Sequence, residues 1–396
     1  MRKFNKIKLF IGCSKIGSGA TPRGGDASYR SEGISLIRSQ NILDFVFSKN
    51  GLAFIDDEQA SALANVEIKE RDVLINITGD SVARVCQVPE YILPARVNQH
   101  VAILRANQIK LNAEFLKYAL LSRENKEMLL SLASTGATRK ALTKSMLEQF
   151  EINVPDEVGT NTQSRIASIL SSLDDKIELN RRMNQTLEQM AQALFNHYFV
   201  DNIDPDNLPE GWQWGCYNDL VEVWTGKGLK RNEFDGNGLY NVHGANGIIG
   251  KTNKFLSDKK VLLTGRVGTL GTIQLVRDKI WISDNVLVSE PKHCYNLYFS
   301  KFVLSSFDFN SLNRGSTQPL ISQSDLKNQI ALLPAKEHLL KFNDIVKGFY
   351  EKIFNNNNEI FNLSKIRDAL LPKLMSGEID VDALMKEETI FKEEVN

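Results

Sequence analysis

The sequence has little cysteine, no proline pair and no long apolar run. Its four cysteines, Cys13, Cys86, Cys216 and Cys294, stand apart without a Cys-x-x-Cys pair. This spacing argues against a disulfide framework or a zinc site, favours a reducing compartment, and suggests small buried residues. No stretch reaches the roughly 18 consecutive apolar residues that a membrane-spanning helix needs, and no apolar segment of signal-peptide length follows the basic N-terminus. We therefore expect a cytoplasmic protein.

An excess of charge of one sign is also missing. The 48 Lys+Arg residues balance the 48 Asp+Glu residues, so the formal net charge is +0. With 42% hydrophobic and 24% charged residues, the composition is that of a globular protein large enough for two or more cores. The balanced charge permits a nucleic-acid partner but does not require one.

Two short motifs suggest an enzyme only weakly. Residues 245–252 (Ala-Asn-Gly-Ile-Ile-Gly-Lys-Thr) fit a relaxed phosphate-binding loop, but alanine replaces the first glycine and no helical periodicity follows. Asp57 with Glu67 and Lys69 has the loose acidic spacing of some nucleases, which a surface strand explains more simply. An enzyme that uses residues 250–252 remains an alternative, which ATP binding by the isolated chain would support.

What the sequence does contain is a long internal repeat. Residues 134–142 (Ser-Thr-Gly-Ala-Thr-Arg-Lys-Ala-Leu) return 179 residues later as residues 313–321 (Asn-Arg-Gly-Ser-Thr-Gln-Pro-Leu-Ile). Repeats on this scale indicate that one structural unit occurs twice. Two further pairs of segments match on either side: 112–122 with 296–306, and 173–180 with 349–356. Each copy therefore has a variable part followed by a helical part.

The helical part of each copy has a seven-residue apolar repeat. This period is typical of coiled-coil helices, whereas an ordinary core helix has a broader apolar face. The repeat predicts long helices over residues 163–197 and 339–373. The seam of the first is formed by Ile166, Leu170, Leu173, Ile177, Asn180 and Leu187, and that of the second by Phe342, Val346, Phe349, Ile353, Asn356 and Leu363.

Each seam is interrupted by an asparagine at the same repeat position. A buried amide costs stability unless it meets another polar group, and such pairs fix the register of coiled coils. If the helices pack antiparallel around a pseudo-two-fold axis, Asn180 and Asn356 lie at the midpoints and are expected to pair. The alternative is that both amides are solvated, which the poor helix formers of residues 355–358 favour.

The variable parts have the pattern of mixed α and β structure. Apolar runs at residues 73–77 and 261–263 end in glycine-containing turns, which predicts strands and hairpins. We predict an α+β fold in which two pseudo-symmetric mixed α/β domains are joined by two long helices packed as an antiparallel coiled coil. The predicted boundaries are 1–155 for the first domain, 156–203 for the central helical region, 204–336 for the second domain, and 337–396 for the C-terminal helical region and tail.

This layout resembles the specificity subunits of type I restriction-modification enzymes. The resemblance covers nearly the whole chain, and it includes residues 208–212 (Leu-Pro-Glu-Gly-Trp) and 370–378 (Leu-Leu-Pro-Lys-Leu-Met-Ser-Gly-Glu). It implies that residues 1–155 and 204–336 are target recognition domains, each reading one half of a split DNA sequence. It also implies that the two helices pack antiparallel and hold these domains apart.

The resemblance further implies that the chain itself catalyses nothing and carries no cofactor. The implied partners are double-stranded DNA, two methyltransferase subunits that bind S-adenosylmethionine, and, in the full enzyme, two ATP-driven restriction subunits. The missing Pro-Pro dipeptide agrees, because adenine methyltransferases of the usual kind hold the flipped base with an Asn/Asp-Pro-Pro-aromatic loop. The alternative from another class is a stand-alone tandem DNA-binding protein, such as a repressor.

Polar turns beside glycines are the best candidates for DNA contacts. Arg suits guanine, Asn and Gln suit adenine, and Lys, Arg and backbone amides hold phosphates. In the first domain the candidates are Thr21, Arg23, Arg38, Asn76, Thr78, Arg84, Asn98, Gln99, Ser134, Thr135, Thr138 and Arg139. In the second domain they are Lys227, Lys230, Asn246, Arg266, Asn285, Asn313, Arg314, Thr317 and Gln318.

The length of the helices predicts the form of the DNA target. A helix over residues 163–197 is roughly 50 Å long at about 1.5 Å per residue, which exceeds the roughly 34 Å of one DNA turn. Because the two variable domains differ in sequence, we expect an asymmetric bipartite target with an unread spacer. Adding residues to either helix should lengthen that spacer.

Overall fold

The computed structural model describes residues 4–134, 140–156, 159–201, 203–315 and 317–381. The chain forms two compact units. The first unit comprises Met1–Asn180 and Asn358–Asn396, and the second comprises Arg181–Asn357. Each unit combines one globular α/β part with half of each long helix.

The first unit contains small β-sheets with a mixed arrangement. Its strands are β1 (Phe4–Lys8), β2 (Cys13–Ser18), β3 (Ile34–Ile37), β4 (Ala53–Ile55), β5 (Val73–Asn76), β6 (Val85–Gln87), β7 (Ala95–Val97), β8 (Val101–Ala106) and β9 (Glu151–Pro155). They pair in the orders β2-β8-β5-β6, β4-β3-β7 and β1-β9. All pairs are antiparallel except β3 with β7, which is parallel.

The second unit repeats this topology strand for strand. Its strands are β10 (Gln213–Cys216), β11 (Val221–Thr225), β12 (Tyr240–Gly244), β13 (Gly247–Thr252), β14 (Val261–Gly265), β15 (Ile273–Val276), β16 (Ile280–Ile282), β17 (Val286–Pro291) and β18 (Ile330–Leu333). The orders are β11-β17-β14-β15, β13-β12-β16 and β10-β18, with β12 and β16 parallel. The duplicated unit predicted from the internal repeat is therefore confirmed.

Helices cover the sheets and extend from them. They are α1 (Leu9–Gly12), α2 (Asp57–Ala62), α3 (Ala113–Leu121), α4 (Arg123–Ser134), α5 (Lys144–Gln149), α6 (Asn161–Phe199), α7 (Tyr217–Leu220), α8 (Leu297–Ser306), α9 (Gln323–Lys327) and α10 (Lys336–Met375). Short 3-10 turns lie at Gly25–Ser28, Ser39–Asn41, Ala64–Val66, Glu90–Ile92, Arg231–Glu233 and Cys294–Asn296. Helices α6 and α10 contain the two segments that the heptads predict.

The four-stranded sheet of each unit is buried on both faces. In β5, Val73 and Ile75 pack into the core that contains α3, while Leu74 faces the core shared with the three-stranded sheet. In β14, Leu262 likewise lies in a different core from its two neighbours. This alternation follows from the two-residue period of a strand, and it explains why these strands are continuous apolar runs.

Within the first unit, α6 and α10 pack antiparallel. Asp174 of α6 meets Arg367 of α10, with 2.9 Å between Oδ1 and Nη1. Farther along α6, Lys176 and Asn180 both contact Glu359. The contact position in α10 therefore falls as the position in α6 rises. In the second unit, Asn184 of α6 contacts Asn356 and Asn357 of α10, and Phe195 farther along α6 contacts Phe342, so the two helices are antiparallel there as well.

Both seam asparagines are buried, with exposed fractions of 1% for Asn180 and 0% for Asn356. Asn180 Nδ2 donates to Glu359 Oε2 at 2.9 Å, and Asn356 Nδ2 donates to Asn184 Oδ1 at 2.8 Å. The expected pairing of the two amides is therefore wrong, and so is the solvated alternative. Side chains on a helix lean toward its N-terminus, so each amide reaches about one turn along the partner helix.

The remaining seam positions are buried or half-buried in the cores. The fully or nearly fully buried ones are Ile166, Leu170, Ile177, Phe342, Val346 and Ile353, and the half-buried ones are Leu173, Leu187, Phe349 and Leu363. Residues 355–358 continue the helix without a break. The seam is therefore apolar on both sides of the buried amides.

The Asn180→Leu variant should raise the free energy of unfolding by about 1 kcal/mol. Asn180 Oδ1 is buried and has no hydrogen-bond partner among the residues that the structure describes, so leucine removes an unsatisfied acceptor and adds apolar burial. Glu359 keeps its contact with Lys176 at 3.5 Å. Urea denaturation measures the change. The Asn180→Asp variant is the control, because a second carboxylate beside Glu359 should destabilise the chain; an equal gain from both variants would contradict this account.

The four cysteines differ in their exposure. Burial raises the pKa of the Cys13 and Cys86 thiols to about 12. Cys216 and Cys294 are exposed, which corrects the expectation that all four are buried.

Within the described ranges, no cluster of His, Cys, Asp and Glu is arranged to hold a metal ion. Over the same ranges, no helix has the length and apolarity needed to cross a membrane.

Candidate nucleic-acid interface

At one end of the four-stranded sheet of the first unit, several connecting segments are held together by backbone hydrogen bonds. The segment after β5 is bonded both to the turn before β8 and to the segment before α5. We call this set of bonds the loop frame. Its members are Gly19 N to Val101 O (2.8 Å), Ile77 N to His100 O (2.9 Å), Leu142 N to Ile77 O (2.8 Å) and Gly79 N to Lys140 O (3.0 Å).

The second unit has the same loop frame at the same end of its sheet. The segment after β14 is bonded to the turn before β17 and to the segment before α9. The bonds are Gly226 N to Val286 O (3.1 Å), Arg266 N to Asn285 O (2.8 Å), Ile321 N to Arg266 O (2.9 Å) and Gly268 N to Pro319 O (3.0 Å). One backbone arrangement therefore presents two sets of side chains.

Side chains at equivalent positions of the two frames differ in chemistry. Charge, size and hydrogen-bonding capacity all change from one unit to the other. The equivalent pairs are Ala20 and Lys227, Ile77 and Arg266, Thr78 and Val267, His100 and Asn285, and Lys140 and Pro319. Arg266, a candidate in the second domain, thus stands where the first has a buried isoleucine.

The candidates of the first unit fall into three groups by exposure. Arg23, Gln99 and Ser134 are exposed, Thr21, Arg38, Thr78 and Arg84 are half-buried, and Asn76 and Asn98 are buried. Thr135, Thr138 and Arg139 lie outside the described residues. The loop frame brings together the segments that carry Thr21, Asn76, Thr78, Asn98 and Gln99.

Asn76 and Asn98 support the frame instead of facing solvent. Asn76 Nδ2 donates to the carbonyl of Ser39 at 2.9 Å, and Asn98 Oδ1 accepts from the backbone N–H of His100 at 3.1 Å. Their exposed fractions are 0% and 7%. Both amides therefore hold the surrounding loops in place, and their contact with DNA bases stays a prediction.

His100 is a polar residue of this surface that the sequence reasoning missed. Its Nδ1 lies 2.7 Å from Thr78 Oγ1, and its Nε2 lies 3.4 Å from Gln99 Nε2. The signal was present, because His100 completes the polar triplet that begins at Asn98 between two apolar residues. Thr78, Gln99 and His100 form the polar centre of the first loop frame.

The connection between the two strands beside the frame differs between the units. In the first unit, residues 38–52 form a long connection, in which Arg38 Nη2 donates to the Gly51 carbonyl at 2.5 Å and the guanidinium lies 5.2 Å from the Tyr29 ring centroid. In the second, β12 and β13 are joined by a tight turn with Asn246 exposed at its tip. Gln274 Nε2 donates to the Gly244 carbonyl at 3.0 Å and fixes this hairpin beside the sheet end.

The structure contradicts the two weak enzyme motifs. Residues 247–252 form β13, paired antiparallel with β12, whereas a phosphate-binding loop must lead into a helix. Asp57 begins α2 and is not on a surface strand. Glu67 is engaged by Arg96, with 3.3 Å between the charged groups.

The loop at residues 313–320 is closed by its own side chains. Asn313 Oδ1 accepts from the backbone N–H groups of Gly315 and Leu320, both at 2.9 Å. Arg314 forms an ion pair with Asp325. Burial alone would raise the pKa of Asp325, but hydrogen bonds from Ser322 and the Arg314 guanidinium lower it. On the described part of this loop, Thr317 and Gln318 are exposed.

The other second-unit candidates lie on neighbouring segments. Lys227 is exposed, and its backbone N–H donates to the Ile282 carbonyl at 2.9 Å. Lys230 is exposed at the start of the 3-10 turn Arg231–Glu233. Asn285 is exposed and Arg266 half-buried. The frame thus brings Lys227, Arg266, Asn285 and the 313–320 loop to one end of the sheet.

Comparisons with known proteins match this chain to specificity subunits of type I restriction enzymes. The family model described as "Type I restriction modification DNA specificity domain" matches residues 57–189 and 209–363. The MjaIX specificity subunit, a type I restriction enzyme subunit of Methanocaldococcus jannaschii, is 29% identical over 310 residues, covering 69% of this chain and 70% of that protein. The HindI specificity subunit of Haemophilus influenzae is 24% identical and covers 80% of this chain and 88% of that protein.

A solved structure shares the fold. The crystal structure of the S subunit of a type I restriction-modification system from M. genitalium aligns with a TM-score of 0.61 at 18% identity. The alignment covers 94% of this chain and 96% of that one. At this identity the likeness concerns the fold, and it agrees with the duplicated α+β architecture.

Proposed function

The chain belongs to the type I restriction-modification DNA specificity family, whose members are non-catalytic DNA-recognition subunits, and from this premise we propose that it reads an asymmetric bipartite DNA target. One observation carries the proposal. The two units share one loop frame, but the side chains on it differ at each of the equivalent pairs described above. Two reading surfaces that dock alike but differ in chemistry fit two different half-sites.

We propose residues 1–155 and 204–336 as the two target recognition domains. In the second, the Arg266 guanidinium can read guanine and the Asn285 amide can read adenine. In the first, the Thr78 and His100 pair and the Gln99 amide stand at the equivalent end of the sheet. The exposed Arg23, Lys227 and Lys230 are suited to phosphates, which fix orientation without carrying sequence information.

We further propose that two methyltransferase subunits bind the chain and carry S-adenosylmethionine, with ATP-dependent restriction subunits joining them in a full enzyme. The helical regions 156–203 and 337–396 supply a pseudo-symmetric scaffold for two copies of one partner. The family membership and the duplicated helices support this arrangement. The alternative, a stand-alone tandem DNA-binding protein, predicts that no methyltransferase copurifies with the chain.

The test is to sequence methylated adenines in cells with and without this chain, then with two single variants. We expect one bipartite motif that depends on the chain. Arg266→Ala should relax the second half-site about 10- to 100-fold, since a bidentate base contact is worth about 1–3 kcal/mol.

Gln99→Ala is the corresponding variant in the first unit, and it should alter only the other half-site. A motif that is unchanged by both variants would refute the assignment of the reading surfaces. Loss of both half-sites from either single variant would show that the units do not read separately.

A further inference from the structure

A buried charge cluster lies between the globular part and the long helices of the first unit. Asp174 accepts hydrogen bonds from the Tyr118 hydroxyl at 2.7 Å and from Arg367 Nη1 at 2.9 Å. Lys117 Nζ lies 3.5 Å from Asp174 Oδ2. The side chains of Lys117, Asp174 and Arg367 are 9%, 14% and 10% exposed. Asp174 thus contacts both buried cations, and Arg367 has a second carboxylate partner in Asp368, 2.8 Å from its Nη2.

The second unit keeps the lysine of this cluster but loses the carboxylate. By the internal repeat, Lys301 is the counterpart of Lys117, and Tyr350 stands at the position of Asp174. Phe302 replaces Tyr118, and Ala191 replaces Arg367. Burial lowers the pKa of Lys301, and the charge of Glu188 offsets this only in part. In the described residues no carboxylate lies within 4.0 Å of Lys301 Nζ.

A cavity of about 440 Å³ opens beside Lys301, and Arg277, Tyr350 and Ser305 also line it. Arg277 Nη1 and Tyr350 Oη are both buried without a hydrogen-bond partner in the described structure. Arg277 Nη2 lies 4.0 Å from Glu351, whose side chain is 46% exposed. Arg277 Nη1 at the end of β15 and Tyr350 Oη on α10 are therefore donors without acceptors in this cavity, and the half-buried Lys301 ammonium on α8 lines the same cavity.

Aromatic rings and one carboxylate partly compensate these donors, and the Arg277 guanidinium lies 4.9 Å from the Phe354 ring centroid. Lys301 Nζ lies 5.1 Å from the Phe302 ring centroid and 5.3 Å from that of Tyr350, and such contacts attract a cation. Aromatic faces, however, are poor substitutes for oxygen acceptors. Glu188 lines the cavity but is exposed to solvent. Buried donors without acceptors destabilise the fold, and an oxygen-rich anion would remove that cost.

We propose that this cavity is a binding site for a small oxyanion of the size of inorganic phosphate, held by Lys301 Nζ, Arg277 Nη1 and Tyr350 Oη. The anion takes the place that the Asp174 carboxylate has in the first unit. It thereby joins α8 to α10 and stabilises the second unit. The site is separate from the DNA-reading surfaces, and it does not depend on the function proposed for them.

The test measures inorganic phosphate binding to the full chain by isothermal titration calorimetry, at constant ionic strength set with sodium chloride. The unaltered chain should bind one phosphate at the site with a dissociation constant in the millimolar range or below. Ser305→Asp places a carboxylate one helical turn from Lys301 and should weaken phosphate binding at least tenfold. Ser305 is exposed, so this variant should fold.

Ser305→Asn is the matched neutral control and should bind phosphate within about twofold of the unaltered chain. Lys301→Met should abolish binding, whereas Arg266→Ala, on the DNA-reading surface, should leave it unchanged. The proposal is overturned if phosphate does not bind, or if Ser305→Asp binds it as tightly as Ser305→Asn. It is also overturned if Arg266→Ala alone removes the binding.

Discussion

Replacing Asp174 by alanine is expected to lower the free energy of unfolding by about 3 kcal/mol. The change leaves the buried Lys117 without its Asp174 partner and the Tyr118 hydroxyl without its acceptor, while Arg367 keeps only its contact with Asp368. Removing one partner of a buried ion pair costs far more than removing a surface charge, because the remaining charge is desolvated and unpaired. Urea denaturation followed by far-UV circular dichroism measures the loss.

Asp175 supplies the control for this prediction. It is the next residue on the same helix and is exposed, so Asp175→Ala should change stability by no more than about 0.5 kcal/mol. A double variant, Asp174→Leu with Lys117→Met, should lose less than the two single changes together, because it removes both members of one contact. Equal losses from Asp174→Ala and Asp175→Ala would contradict the buried-cluster account.

This cluster shows where sequence patterns are insufficient. The heptads predicted both long helices and the burial of Asn180 and Asn356, because a seam position is defined by spacing along one helix. The partner of each amide depends on the direction in which the side chain leans, which the spacing does not contain. The spacing does not contain the Asp174 and Arg367 contact either, because Arg367 is a charged residue on the repeat and Asp174 is the residue after the seam position Leu173. Local periodicity therefore predicted the elements but not the polar contacts between them.

The two loop frames show a second limit of prediction from sequence. Turn composition correctly indicated the polar segments at the end of each sheet, including Thr78 and Arg266. It did not indicate that Arg266 is equivalent to Ile77, because the two loops differ in sequence and only their backbone hydrogen bonds match. Turn composition also could not distinguish the buried Asn76 from the exposed Asn285, since both are asparagines at the end of a strand or next to it. The burial of Asn76 depends on the long connection at residues 38–52 of the first unit. In the second unit, a hairpin replaces that connection.

Adding one heptad to both long helices is expected to lengthen the spacer of the methylated DNA target by about three base pairs. Duplicating residues 181–187 in α6 and 353–359 in α10 adds seven residues to each, or about 10.5 Å at 1.5 Å per residue. One base pair rises about 3.4 Å. Both helices must be extended, because Asn184 and Asn356 pair across them and a change in one alone shifts that register. Sequencing of methylated adenines measures the spacer.

The control for this prediction lengthens the chain without lengthening the helices. Seven residues inserted within 204–211, a segment outside both helices, should leave the spacer unchanged. The half-sites should be the same in every variant, because the loop frames are not altered. Inserting three residues in place of seven should impair activity, since three residues rotate the apolar seam away from its partner helix. A spacer that stays constant with the longer helices, or one that changes equally with the longer linker, would show that the helices do not set the distance between the half-sites.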